Sequence, residues 1–335
     1  MESLIEPNLN ADIYRNMTAA DRPPVPDKHL QFILIYNEKS AILGGTNMTD
    51  RYWTGTVWYY NDISDFDRNK AYIAKKTESG VCAAVYLKSD TFVIGEDSGV
   101  LQILDVAPGA DGLKQLQCAA YACLHDSSLL TLSAFADKKH IVSGGMDCCI
   151  KIWDVTELMV TKSFDYAHID TVTCIDVRPE SNTEFVSTSS DCEGLLWDIR
   201  QAKPAQRILK RDASLTAVSW NPNLENILAV GTDNGEVIIV DARRSNSEVL
   251  RELSAFSRPV HKLLFNPNAE KLEELAVCCD NTSIEVLDIN SQFSPIYKDG
   301  RHTDFVRGLT WFNNRLYSCS WDNTVLKHTI DFDDD

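Results

Sequence analysis

The sequence predicts an all-β fold, a seven-bladed β-propeller closed by an N-terminal strand, on three observations. Two segments, Ile141 to Asp154 and Phe185 to Asp198, each read as strand, tight turn and strand, with Asp147 placed before Trp153 as Asp191 is before Trp197. Weaker copies bring the closing positions to Asn61, Asp105, Asp154, Asp198, Asp241, Asp288 and Thr329, spaced by 44, 49, 44, 43, 47 and 41 residues. An alternating strand precedes the later copies in a register of its own, as in Val172 to Pro179, Leu215 to Pro222 and Val260 to Pro267. Proline ends it because proline cannot donate to a sheet ladder. A single four-stranded sheet cannot bury both of its faces. A closed ring of such sheets can, and closure leaves only short edges.

The elements follow in chain order. Residues 1–28 lie outside the repeat, and Pro23, Pro24 and Pro26 keep this extension stretched out. Residues 29–330 hold the propeller. Its units end in the segments Ala41 to Asn61, Phe92 to Asp105, Ile141 to Asp154, Phe185 to Asp198, Ile227 to Asp241, Leu275 to Asp288 and Leu316 to Thr329. The last unit stops soon after its third strand, so the N-terminal extension is expected to supply the fourth and close the ring. Residues 331–335 form an acidic tail expected to fray. In the second, fifth and sixth units Ser98, Asn234 and Asn281 stand where Asp147 and Asp191 stand in the third and fourth. Those turns are expected to rest on Ser, Asn and Gly chemistry.

A period of about 40–45 residues with Trp-Asp endings is the signature of the WD repeat, and the chain resembles the WD-repeat family over nearly its whole length. That resemblance implies a His–Ser–Asp–Trp hydrogen-bond network in each complete blade. His125, Ser143, Asp147 and Trp153 fit it, as do His168, Ser187, Asp191 and Trp197. The last unit keeps His302, Ser318 and Asp322, with His328 in place of Trp. A buried Asp needs partners, and imidazole and hydroxyl supply them, so these sets read as structural rather than catalytic.

Charge bounds the function. There are 32 Lys and Arg against 49 Asp and Glu, a net charge of −17. Phosphates call for a basic face, so direct nucleic-acid binding is not expected. An acidic surface suits Arg/Lys-rich partners; solubility alone is the other reading of it. The first twenty residues contain no apolar signal core, and no apolar run approaches the ~20 residues of a membrane span. Neither export nor a membrane is therefore expected. Ten cysteines in such a chain point to reduced thiols, in the cytoplasm and nucleus. The adjacent pairs Cys148–Cys149 and Cys278–Cys279 read as small packed side chains rather than metal ligands. No metal or cofactor is expected. There is no phosphate loop, no H-E-x-x-H zinc motif and no G-x-S-x-G elbow, so the chain is expected to recognise rather than catalyse.

In the first unit the link between second and third strands, Thr46 to Gly55, reads as a loop that is long for a hairpin. It carries Arg51, Tyr52 and Trp53, residue types enriched at interface hot spots. Packing of Trp53 onto its own blade is the other reading of the same residues. The stretch Arg51 to Trp58, the ending Leu195 to Arg200 with Lys203-Pro204-Ala205, and the stretch His302 to Arg307 are together similar to the WD-repeat subunit of the methylosome. That family is the cofactor of the type II protein arginine methyltransferase, which makes symmetric dimethylarginine. The resemblance implies that Trp53 inserts into the methyltransferase's N-terminal barrel with Arg51 as polar companion. Tyr52 has no firm assignment in it. It also implies Arg/Gly-rich substrates, the tails of histones and of spliceosomal Sm proteins. A second resemblance competes. Asp191, Trp197, Asp198 and Arg200 look like the WDxR box that docks some WD proteins, as substrate receptors, on the adaptor of a cullin–RING ubiquitin ligase. An Arg after Trp-Asp is also common at blade ends. A histone-chaperone WD protein, with a long N-terminal helix, fits less well because of Pro23, Pro24 and Pro26.

Overall fold

The computed structural model describes residues 29–49, 52–67, 70–109, 112–243 and 249–330. It is all-β, with seven antiparallel sheets arranged as a seven-bladed propeller. Blade 1 contains β1 (His29–Asn37), β2 (Ser40–Thr49), β3 (Tyr52–Tyr60) and β4 (Ile73–Thr77), paired in that order from the inside out. Blades 2 to 6 repeat this order, and blade 7 has three strands among the described residues, Val306–Phe312, Arg315–Ser320 and Val325–His328. The expected closing strand from residues 1–28 lies outside the described residues, as does the tail at 331–335.

The ring closes through its inner strands. Val81–Lys88, Leu129–Ala134, Val172–Val177, Leu215–Trp220, Val260–Phe265 and Val306–Phe312 neighbour one another in turn, and the last lies against β1. Alternation puts successive side chains on opposite sheet faces, so each blade feeds two interfaces. One apolar cluster fills each of the seven gaps. Ala41, Leu43, Trp58 and Tyr60 meet Tyr317 and Cys319 between blades 1 and 7, and Phe135, Ile152 and Phe164 meet Phe185 and Trp197 between blades 3 and 4. Cys278 and Cys279 illustrate the alternation. Both are buried, yet Cys278 joins the cluster against blade 7 and Cys279 the cluster against blade 5. They face opposite sides of one strand and cannot share a ligand.

The turns without a full network are held as their residues dictate. Gly99 and Gly235 sit at φ +79° and +87°, where glycine meets no steric penalty. Ser79 Oγ bonds Ser98 Oγ at 3.0 Å in blade 2, and Ser283 N donates to Asn281 Oδ1 at 3.0 Å in blade 6.

Candidate functional site

The long loop expected between Thr46 and Gly55 is instead a ladder. β2 and β3 stay paired from Ala41 opposite Tyr60 out to Thr49 opposite Tyr52. The corresponding ladder of blade 3 ends at Gly144 opposite Ile150. Strands rise about 3.4 Å per residue, so the first hairpin reaches roughly 15 Å further than its counterpart. The residues themselves favour this: Thr, Tyr and Trp suit a pleated surface, and Thr54 Oγ1 donates across to Asn47 O at 3.5 Å. At the hairpin's root, Gly55 lies so close to Ser79 O and Thr77 that a Cβ would collide with both.

Trp53 stands on the extended part of this hairpin, opposite Met48, and is 45% exposed. Trp153 and Trp197 are 0% and 2% exposed. Trp53 is therefore not packed beneath its own blade. Tyr52 takes part in the ladder through its backbone. Arg51 lies outside the described residues.

The predicted network residues come together in three blades. His125 Nδ1 is 2.8 Å from Asp147, its Nε2 is 2.7 Å from Ser143 Oγ, and Trp153 Nε1 donates to the same oxygen at 2.8 Å. His168, Asp191, Ser187 and Trp197 repeat these contacts at 2.8, 2.7 and 2.8 Å. The indole can only donate, so the serine oxygen accepts from it and still has a lone pair and its own proton to meet the imidazole Nε2. Burial would raise the Asp147 carboxyl, but the His125 contact and the Cys149 and Asp126 N–H groups outweigh it and hold it below its usual value. Ser143, Ser187 and Ser318 are fully buried. No substrate can reach hydroxyls already committed in this way. The network orders the turns instead: Asp126 N and Ile169 N each donate to the network Asp at 3.1 Å.

Blade 7 departs from the pattern. His302 bonds Asp322 and Ser318, each at 2.8 Å, and His328 Nε2 lies 2.7 Å from Ser318 Oγ. Its Nδ1 faces Asp299 and Tyr297 of blade 6, both at 3.1 Å. Burial lowers His328 to about 4 despite Asp299. Tyr297, Asp299 and Arg301 come from the neighbouring blade, so the repeat pattern does not mark them as partners of His328.

The adaptor-box residues are occupied locally. Arg200 Nε and Nη2 donate to the Asp198 carboxylate at 2.9 and 2.6 Å, and Arg243 makes the same fork on Asp241 at 3.0 and 2.6 Å. Such an arginine folds back on the Asp two residues before it, in two blades alike. Asp191 and Trp197 belong to the network above.

Where the inner strands end, a cleft of about 290 Å³ opens between Trp220, Trp311 and three prolines, with Asp176 in it. Trp220 N donates to Asp176 Oδ2 at 2.8 Å. The carboxyl lines the cleft but is surrounded by protein, and burial raises it to about 7. Among the described residues no cluster of His, Cys, Asp or Glu could hold a metal.

Comparison with known proteins places the chain among WD proteins. A family model described as Nucleolar protein 10-like, N-terminal domain, matches residues 112–296. The methylosome protein WDR77 of Xenopus laevis is 29% identical over 297 residues, 87% of this chain and 86% of that protein. The EARP and GARP complex-interacting protein 1 of Pongo abelii is 26% identical over 77% of this chain and 60% of its own length. The protein transport protein SEC31 of Chaetomium globosum is 24% identical over 56% of this chain but only 15% of its own length.

Proposed function

The chain belongs to the WD-repeat β-propellers, in the family described as Nucleolar protein 10-like, N-terminal domain, and on that premise we propose that it is a non-catalytic scaffold that binds the type II protein arginine methyltransferase and holds Arg/Gly-rich substrates near it. The observation that carries this reading is the half-exposed Trp53 on a hairpin outreaching its blade. The similarity to the methylosome protein WDR77 supports the choice of partner. Trp53 is the anchor and Arg51 its polar companion, with Tyr52 beside them. Rigid aromatic side chains on preformed hairpins make good anchors, because little entropy is lost when they dock.

Roughly half of the 150–250 Å² of a Trp side chain remains to be buried, which at ~25 cal/mol per Å² gives about 2–3 kcal/mol. That is enough for a hot spot. The substrates are basic tails of histones and Sm proteins, drawn by the net charge of −17. The complex would form in the cytoplasm and nucleus. A pull-down of the methyltransferase with wild-type protein and Trp53→Ala tests the docking. Equal recovery of the enzyme by both would overturn it.

A further inference from the structure

Beyond that reading, we infer that the turns of blades 3 and 4 form a second docking surface, for a cationic segment that carries large apolar side chains. Four apolar residues stand out from these turns with no role in any blade interface. Leu124 is 52% exposed, Met146 50%, Tyr166 85% and Ile169 92%. The turns that bear them are joined through the backbone: Met146 N donates to Ser128 O at 2.9 Å, and His168 N to Cys148 O at 3.4 Å. Soluble chains scatter exposed apolar residues singly; grouped ones mark recognition surfaces.

The presentation is rigid. Each turn is pinned by a buried imidazole, with Leu124 next to His125, Met146 next to Asp147, and Ile169 next to His168, whose partner Asp191 also accepts the Ile169 N–H at 3.1 Å. Tyr166 is held at φ +52°, a conformation that costs a bulky residue energy. It nonetheless displays its ring to solvent. A surface this ordered loses little entropy when a partner lands on it.

Charge selects the partner. Asp126, Asp165 and Asp170 are exposed in the same turns, with Lys151 3.8 Å from Asp165, and residues 124–128, 145–149, 165–171 and 190–192 contain no Lys or Arg. The local field shows in Cys148: burial first, then the negative charges of Asp170 and Asp147, push its thiol up. Acidic groups alternating with exposed apolar side chains complement a segment in which Arg or Lys alternates with apolar residues. The site lies around the ring from the first-blade hairpin, so the two surfaces can be tested separately.

The test is fluorescence anisotropy of the full chain with a labelled peptide of alternating Arg and Leu, set against an Arg–Gly peptide and a Glu–Leu peptide. The expected result is binding of the Arg–Leu peptide above both controls. Tyr166→Ser with Ile169→Ser should weaken it about tenfold, and Asp165→Asn with Asp170→Asn should weaken it and flatten its salt dependence. Both pairs are exposed, so unchanged melting shows that the variants fold. Equal binding by wild type and the Tyr166/Ile169 variant would overturn the inference, as would equal affinity for the Arg–Gly or Glu–Leu peptide. Loss of peptide binding in Trp53→Ala would also overturn it, by assigning the peptide to the first hairpin. Failure of methyltransferase capture with peptide binding intact would count against the proposed function alone.

Discussion

His328 Nε2 lies 2.7 Å from Ser318 Oγ, in the place where Trp153 and Trp197 give their indole N–H to Ser143 and Ser187. Ser318 Oγ thus stands between two imidazoles, with His302 Nε2 at 2.8 Å on its other side. The second nitrogen of His328, Nδ1, faces the Asp299 carboxylate at 3.1 Å and lies within 3.4 Å of Arg301. The blade 6–7 seam thus contains a titratable group where blades 3 and 4 have an inert one.

That exchange makes stability depend on pH. His328 titrates at about 4 when folded and near 6.5 when unfolded. Above pH 6.5 both states are neutral. As pH falls from 6.5 to about 4, only the unfolded chain takes up the proton, so the folded state loses up to about 3 kcal/mol. His328→Gln keeps an N–H donor without the titration. Urea unfolding at pH 6.5 and 4 should show a smaller loss in the variant than in wild type; parallel curves would refute this.

Asp176 has the opposite sign. Its folded value is raised from 3.8 to about 7, so its contribution is favourable below pH 3.8 and is lost as pH rises through about 7. Asp176→Asn keeps an acceptor for Trp220 N and cannot ionise. The variant should melt higher than wild type at pH 8, with the difference shrinking toward pH 4. Melting scans across that range check it.

Ser187→Ala removes the oxygen shared by His168 and Trp197. Two buried groups lose their partner together, and each unsatisfied group costs about 1–3 kcal/mol. The variant should unfold at lower denaturant by an amount equivalent to roughly 2–4 kcal/mol, with the Ile169 turn exchanging its amide hydrogens faster. A change below about 0.5 kcal/mol would mean that the network is dispensable.

Trp53→Ala should leave stability within about 0.5 kcal/mol of wild type, because the side chain is exposed and belongs to no interblade cluster. Methyltransferase capture should nevertheless be lost. If substrates are steered by charge, added salt should raise the methyltransferase complex's KM for basic tails more than it lowers kcat. A KM that ignores salt would reduce the acidity to a solubility device.

The architecture could be read in advance because each blade restates it. Asp147 to Trp153 and Asp191 to Trp197 mark the same turn twice, and the proline-ended strands confirm the period in a separate register. The hairpin differs from the expected loop for a local reason. Gly45 and Gly55 suggest strand ends at those positions, although Tyr52, Trp53 and Thr54 between them are strand formers. Tyr297, Asp299 and Arg301 could not be tied to His328 at all, since the contact crosses a blade interface. Leu124, Met146, Tyr166 and Ile169 were invisible for a related reason: a repeat reading treats turn residues as spacers, and only the ring sets turns of different blades side by side.

Because every apolar cluster draws on two blades, no blade is an independent folding module. A fragment with one blade removed would leave two bare apolar flanks, each shaped to fit the missing blade. Such flanks would find one another on neighbouring molecules, so shortened forms of this chain should assemble end to end rather than persist as smaller circles.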